Sequence, residues 1–594
     1  MIQPQPIFWE RGIATDTPAP PLVDPTLVEQ EEQPLVALYR RYGPIFRLPQ
    51  SGNELARIIL AGPEVNVFVA RHEDDFFTTR EQWEAFDAHM SREVSSVTKA
   101  RDGAANRQRR ATSSRNWSRA RILDQIPQMI EITQAATAEW QPGASIDVHA
   151  SMRRLVAEQL GRLLLGASPG GYLDDFLTFL NITLVNTFPT SKETGERFDS
   201  VAYTRARSRV REFGRLAYEA HLRHPQPNGK PDMLDEAITQ AAEHPEALDT
   251  TRLSMVVLGP MLAGLDTVAN SLCFALYALL SNPEVCQRVQ AEVDAAFRTG
   301  PLTWEKLKSM PDLHGAMMET LRRYPVASGH HVLVAHPLTV AGFRLSPGDR
   351  VNIAMTVPHF LEELYPDPMR FDINRFREPR NEHRKPGAYA PFGLGDHTCL
   401  GAGIAEVQLM VTIATLLHSF ALELDPPTYR LVVAHHPTPV PGNNFRIKVG
   451  ELSDEKLPVC HARPESTGGK EAEPLCSRRD RHAGSECGAA VSHLPGNDKC
   501  TASIQLRVAG CHRHSLCSDE PDQSCAPAAY QPACRDCAAW DRDRPPDFIC
   551  QQRSQTFAGS RCLLRRGSRP GLVDLLVLSQ TTDLLCLAPL QDEF

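Results

Sequence analysis

The longest apolar region of the chain runs from Leu253 to Leu280 and is interrupted by Asp266 and Asn270. A membrane-spanning helix needs about 20 mostly apolar residues, and a carboxylate at its centre is costly in hydrocarbon. The run therefore reads as a long helix buried inside a soluble protein, with no membrane span. Met255, Leu258, Leu262 and Leu265 recur three and four apart, which lays an apolar stripe along it. Polar side chains inside such a helix are costly unless they find partners.

Around that helix the periodicity stays mostly helical from about residue 120 to residue 325. Pro311 and Pro325 bracket a short helix with Leu313, Met317, Met318 and Leu321 on its apolar side. The pattern then changes. Leu338–Val340, Phe343–Leu345 and Val351–Ile353, separated by turns at Ala341-Gly342 and Pro347-Gly348-Asp349, read as one small antiparallel sheet. Helical spacing returns through Ile404, Val407, Met410, Val411 and Leu416. The expected class is mainly α with small antiparallel β-sheets. With 42% hydrophobic and 23% charged residues, wholesale disorder is excluded. A net charge of -9 argues against a nucleic-acid partner.

Cysteines divide the chain in two. Only Cys273, Cys286 and Cys399 precede residue 451, whereas 12 of the 15 follow it. That last stretch carries five aromatics of 40, too few to nucleate an ordinary core. Residues 1–450 are expected to be the working domain and 451–594 a Cys-rich tail of low order that is not a functional module, such as an unselected extension. Cys534 and Cys537 form one C-x-x-C without a second pair, weak support for zinc. The sparse cysteines of the first part suit a reducing cytoplasm. Met1 to Pro6 shows no basic stretch followed by an apolar run, so no signal peptide or N-terminal anchor is expected.

The sharpest chemical signal is Pro391-Phe392-Gly393-Leu394-Gly395-Asp396-His397-Thr398-Cys399-Leu400-Gly401. This glycine-punctuated turn presents one cysteine just before a helix. Glycines let backbone amides approach the sulfur, and a helix N-terminus favours negative charge. Such a thiolate can serve as an axial iron ligand. A buried structural thiol, a catalytic Cys399–His397 pair and half a zinc site are the competing explanations. Zinc fares worst, because His397 and Cys399 offer only two ligands.

Phe392, Gly395, Cys399 and Gly401 resemble the F-x-x-G-x-x-x-C-x-G haem-binding signature of the cytochrome P450 superfamily. Three further stretches follow that family's order. Glu319-Thr320-Leu321-Arg322 resembles its E-x-x-R helix, and Phe371 to Phe376 the segment that brings a second arginine, here Arg375. Ala263-Gly264-Leu265-Asp266-Thr267 resembles the A/G-G-x-D/E-T of the helix crossing the haem. The resemblance spans about residues 30–450 and implies the cytochrome P450 fold, with haem b bound through Cys399. It also implies that Phe392, Gly393, Gly395 and Gly401 shape the cofactor turn.

Each stretch also has a reading of its own. Glu319 and Arg322 lie three apart and share a helix face, so they can pair; with Arg375 nearby, as the resemblance implies, the carboxylate is held by two guanidinium groups in a structural, bracing role. Thr267 can bond back to the preceding turn, whereas Asp266 has no such ordinary explanation. By resemblance, Thr267 contacts bound dioxygen and Asp266 relays protons. Asp102 to Arg110 is similar to the family's D-G-x-x-H-x-x-x-R, with Asn106 in the histidine's place and Arg110 keeping the arginine that holds a haem propionate. Trp117 and Arg121 offer an alternative register. His397, two residues before the cysteine, stands where the family has a second propionate partner. Arg101, Arg107, Arg109, Arg110, Arg115, Arg119 and Arg121 make either a solvated helix face or a basic docking surface.

The resemblance implies a monooxygenase that inserts one oxygen atom from O2 into a hydrophobic organic substrate. Electrons would come from a ferredoxin or flavodoxin with its reductase. A haem-thiolate peroxygenase or isomerase, or a haem-binding sensor, are the alternatives. The substrate pocket is expected to draw on residues 78–100, 185–205, Leu262, Ala263 and Val326–Val332.

Overall fold

The computed structural model describes residues 7–28, 31–49, 57–79, 102–104, 106, 107, 110, 118–187, 198–225, 231–243, 250–435, 438–442, 444–450, 561–566 and 573–578. The chain divides into two units, Met1–Gly469 and Lys470–Phe594. In the second, Arg561–Arg566 and Val573–Leu578 pair antiparallel, with Arg561 opposite Leu578. The rest of the expected tail, Cys534 and Cys537 included, lies outside the described residues. So do residues 80–100 of the segment 78–100 and residues 188–197 of the segment 185–205.

Five helices of the first unit carry the site: α1 (Pro63–Phe76), α2 (Val148–Leu165), α3 (Thr250–Leu280), α4 (Pro311–Arg323) and α5 (Ala402–Ser419). Their ends follow local chemistry. Pro63 and Pro311 occupy first-turn positions where no amide donor is needed. The Asp147 carboxylate accepts the Ala150 amide at 2.9 Å to start α2. Helices Ile126–Ala136, Leu173–Thr187, Val201–Arg223, Met233–Glu243 and Pro283–Arg298 share the same helical core.

The apolar run is α3, as expected, and Leu258, Met261, Leu265, Leu272 and Leu276 on it are fully buried. Gly259–Leu280 and α5 are both long and apolar enough to cross a membrane. In each the most apolar window is largely buried within the protein, 72% and 67% respectively. Gly264 permits the tightest α3–α2 approach: a Cβ there would stand 3.1 Å from a Leu160 methyl. That gives the small residue in the motif a packing reason.

The sheets differ from expectation. Leu338–Val340 and Phe343–Leu345 do pair antiparallel, but their third strand is Trp9–Arg11. The third expected partner belongs elsewhere. A five-stranded sheet contains β1 (Ile45–Leu48), β2 (Arg57–Ala61), β3 (Phe77–Thr78), β4 (His330–Val334) and β5 (Arg350–Ala354), in the order β1-β2-β5-β4-β3. In it β2 and β5 run parallel, with Ile58 opposite Val351. Parallel pairing needs a long connection, so a reading confined to neighbouring turns misses it. The sheet packs on α1 through Phe68, Val69 and Phe76, while the helices share a second, larger core. Phe392 packs on the helical core and Leu394 on the sheet core, so the cysteine turn sits where the two meet.

Candidate functional site

The turn before α5 is closed by backbone bonds. The Cys399 amide donates to the Phe392 carbonyl at 2.7 Å, and the Thr398 amide and hydroxyl both donate to the Gly395 carbonyl. Gly393 and Gly395 have positive φ, +88° and +58°. A Cβ on Gly395 would also stand 3.1 Å from a Glu73 oxygen and 3.3 Å from the Val69 carbonyl. The turn is therefore seated on α1, and only glycine fits at that place. Gly401 caps α5. Cys399 is solvent-accessible, yet protein surrounds it closely enough for desolvation to push its thiol up. The Gly401 amide, the Arg110 charge and the Ala402 amide oppose that shift.

The arginine segment docks on this turn. Arg110 donates to the Thr398 carbonyl, the Asn106 amide to the Asp396 carbonyl at 3.3 Å, and Arg107 pairs with Asp74 and, at 3.2 Å, Asp396. Arg110, of the two candidate arginines, is the one that lies against the cysteine turn. Arg121 instead pairs with Glu236 and donates to the Pro231 carbonyl, and Trp117 lies outside the described residues. Arg119 pairs with Glu406 and stacks on Trp304. Of the described arginines of the run, Arg107, Arg119 and Arg121 are thus ion-paired and Arg110 bonds a backbone carbonyl.

His397 meets two carboxylates. Its Nδ1 is 3.0 Å from Glu73 and its Nε2 3.7 Å from Asp102. The other Glu73 oxygen is 3.0 Å from Nδ1 of His330 on β4. Glu73 is 3% exposed. Burial alone would raise its carboxyl, but the two imidazoles outweigh that and hold it at about 2. Sequence reasoning missed both Glu73 and His330, because neither sits in a local motif and only the fold joins them.

The structure brings Glu319, Arg322 and Arg375 together. Glu319 receives Arg322 through two bonds, 2.7 and 2.9 Å, and Arg375 at 3.1 Å; all three residues are 0% exposed. The leftover guanidinium donors reach the carbonyls of His359, Pro368, Pro366 and Asp367. His359, also missed, links this brace to the turn. Its Nε2 accepts the Ala390 amide at 3.0 Å, so its Nδ1 donates to the Arg322 carbonyl at 3.2 Å. Burial and then Arg322 push its imidazole down to about 3.

On α3 the two signature residues point apart. The Thr267 hydroxyl bonds back to the Ala263 carbonyl at 2.9 Å, and Ala263 is exposed in the middle of an otherwise buried helix. Asp266 is 6% exposed and turns to α2, where Arg153 Nε and Nη2 each lie 3.0 Å from it. The donor set suits an iron porphyrin with two carboxylates. It offers one accessible sulfur under amide donors, and the side chains of Arg110, His397 and His330 as donors on elements around the turn. Among the described residues, no group of three His, Cys, Asp or Glu converges on that sulfur, which disfavours zinc.

A lone accessible thiol at a helix start, a Glu–Arg–Arg cluster and a long buried helix fit a haem-thiolate protein. Residues 25–437 match the Cytochrome P450 family, and the chain belongs to it. It is 26% identical over 427 residues to cytochrome P450 139 of Mycobacterium tuberculosis, covering 70% of this chain and 97% of that one. It is 28% identical over 313 residues to a cyclooctat-9-en-7-ol 5-monooxygenase of Streptomyces melanosporofaciens, covering 50% and 66%. Among solved structures it resembles a retinoic acid-bound cyanobacterial CYP120A1 with a TM-score of 0.62 at 22% identity, covering 74% of this chain and 100% of that one. The protein is a haem-thiolate monooxygenase that uses O2, a hydrophobic organic substrate and electrons from partner proteins.

Proposed function

We propose that Cys399 supplies the thiolate ligand of the haem, on a turn shaped by Phe392, Gly393, Gly395 and Gly401. The observation that carries this is the accessible Cys399 sulfur receiving the Gly401 and Ala402 amides with Arg110 nearby. A thiolate-ligated haem supplies oxygen activation when bound. Arg110 and His397 hold its propionates, and Glu319, Arg322 and Arg375 keep the turn in place. Thr267 and Asp266 manage oxygen and protons. For Thr267 this requires its hydroxyl to leave the Ala263 carbonyl, and for Asp266 to loosen from Arg153.

The electron donor is a ferredoxin or flavodoxin with its reductase, acting in the cytoplasm with no membrane span, and residues 451–594 take no part in the chemistry. The relatives named for cyclooctat-9-en-7-ol and retinoic acid support an isoprenoid-like hydrocarbon substrate. The ferrous carbon monoxide difference spectrum of the full-length protein tests the ligand. A red-shifted, thiolate-type Soret band that Cys399→Ala abolishes is expected; retention of that band in the variant would overturn the assignment. Retinoic acid as the probe should shift the ferric spin state, and no shift with any isoprenoid would remove the substrate class.

A further inference from the structure

Among the described residues, two groups of three histidine or acid side chains bring their ligand atoms within 4.8 Å of one another. In the group His221, Asp232 and Asp235 the carboxylates are already committed. Asp232 accepts the Leu234 and Asp235 amides at 2.8 and 3.0 Å, and Asp235 accepts the Asp232 amide at 3.0 Å, which caps the helix Met233–Glu243. The other group is Glu73, His330 and His397, and its carboxylate serves no such cap.

Glu73 lies in the last turn of α1, which holds Asp74 and Asp75 as well and has no basic residue of its own. A helix C-terminus favours cations, so a buried acid there calls for positive charge from outside the helix. Asp74 takes it from Arg107 and Asp75 from Arg11. Glu73 has only the two imidazoles. Each of its oxygens stands 3.0 Å from a ring Nδ1, yet neither receives a hydrogen bond of good geometry. A shared proton requires near-linear alignment between two atoms. Ligand atoms around a shared ion need only face it, and on tetrahedral zinc, with bonds of about 2.0–2.2 Å, they stand roughly 3.3 Å apart.

The surroundings suit an ion. A Cβ on Gly395 would stand 3.1 Å from the Glu73 oxygen that faces His397, so glycine keeps space open beside it. The Glu73 side chain is 2% exposed, whereas those of His330 and His397 are 27% and 17% exposed, which leaves a way in along the ring edges. The far nitrogen of His397, Nε2, stands 3.7 Å from Asp102, itself fixed by the Thr79 amide and hydroxyl. Ligating histidines are oriented by a carboxylate behind the ring in this way.

We propose that Glu73, His330 and His397 form a zinc site, with the carboxylate and the two Nδ1 atoms as ligands and a fourth position for water. Two imidazoles and one carboxylate with an open position are a set that zinc uses, whereas magnesium and calcium take oxygen ligands. The ion fastens three separate elements, α1, β4 and the cysteine turn, at one point. His397 keeps its Nε2 for the propionate assigned to it above, so the site stands whether or not that assignment does.

Zinc itself is the probe, on the haem-loaded full chain. Accessible thiols are first blocked with N-ethylmaleimide, because the 12 cysteines after residue 450 would otherwise compete for the metal. Equilibrium dialysis with elemental analysis measures binding, and X-ray absorption at the zinc edge, which haem iron does not obscure, identifies the ligands. The wild type should bind one zinc that excess magnesium does not displace, with imidazole and oxygen neighbours and no sulfur. Glu73→Gln and His330→Gln should each weaken that zinc by about 100-fold or more. Equal affinity in the wild type and a folded variant, or a wild-type spectrum without imidazole, would overturn the proposal. If Glu73→Gln does not fold, His330→Gln and the wild-type spectrum decide the matter between them.

Discussion

Two buried carboxylates in this molecule each hold two basic side chains, and they differ in what those partners are. Glu319 is 0% exposed and is gripped by Arg322 and Arg375. Glu73 is 3% exposed and is gripped by His330 and His397. Arg322 gives Glu319 two donors and Arg375 a third, whereas each histidine faces Glu73 with a single ring nitrogen. The first group can therefore act as a fixed brace. The second ties helix α1, strand β4 and the cysteine turn together through one ring nitrogen apiece.

Breaking the arginine brace should have the largest effect. Arg322→Leu or Arg375→Leu leaves a buried carboxylate short of a partner and removes donors from several carbonyls, a loss of about 3–5 kcal/mol. Chemical denaturation of the full-length protein, or failure to recover folded protein, reads this out. A loss under about 1 kcal/mol would mean that the brace is not a single unit.

Next comes Glu73. Its carboxyl is held at about 2 against an ordinary 4.5, and a depressed acid contributes stability above its unfolded value. That contribution is complete above pH 4.5 and is lost as pH falls from 4.5 towards 2. It amounts to roughly 3 kcal/mol. Glu73→Gln should lose most of it at pH 6, and its unfolding free energy should vary less with pH below 4.5 than the wild type's. Parallel slopes for the two proteins would show that the imidazole pair does not hold this carboxylate.

His359 opens a separate window on the arginine side. Its imidazole is pushed from 6.5 down to about 3, so the unfolded chain takes up a proton first. Stability is thus full above pH 6.5 and declines as pH falls from 6.5 towards 3, at up to about 1.4 kcal/mol per pH unit. His359→Gln should cost about 1–3 kcal/mol at pH 7, since it unsettles the bonds to Ala390 and Arg322. It should also flatten the slope between pH 6.5 and 4.5. Below pH 4.5 the Glu73 slope remains in this variant, so denaturation across the pH range separates the two regions.

The same contrast explains what the sequence made legible. Glu319 and Arg322 are one helical step apart, so their pairing is written in local spacing, and Arg375 was reached only through the family resemblance. Cys399, its glycines and the apolar stripe of α3 were equally local. Glu73 lies more than 250 residues from either of its histidines, and β5 finds its parallel neighbour β2 across a similar span. Pairings of that kind depend on topology, which no short motif carries. Asp266 is intermediate: its need for a partner was evident from the apolar helix around it, but Arg153 as that partner was not.

The smallest effect sharpens the comparison on the same face of α1. Arg107 bridges Asp74 of that helix and Asp396 of the cysteine turn, so it joins two of the elements that Glu73 joins, but at the surface, with its side chain 53% exposed. Desolvation, then the Asp396 carboxylate, raises Asp74, and Arg107 opposes this. Arg107→Gln leaves those two acids facing one another with water to screen them. Exposed pairs are worth about 0–1 kcal/mol, and salt weakens them further. The variant should therefore lose under about 1 kcal/mol at low salt and nearly nothing at about 0.5 M salt, while Glu73→Gln keeps its deficit at both. A salt-independent loss in Arg107→Gln as large as that of Glu73→Gln would mean that surface charge, not the buried carboxylate, seats the cysteine turn on α1.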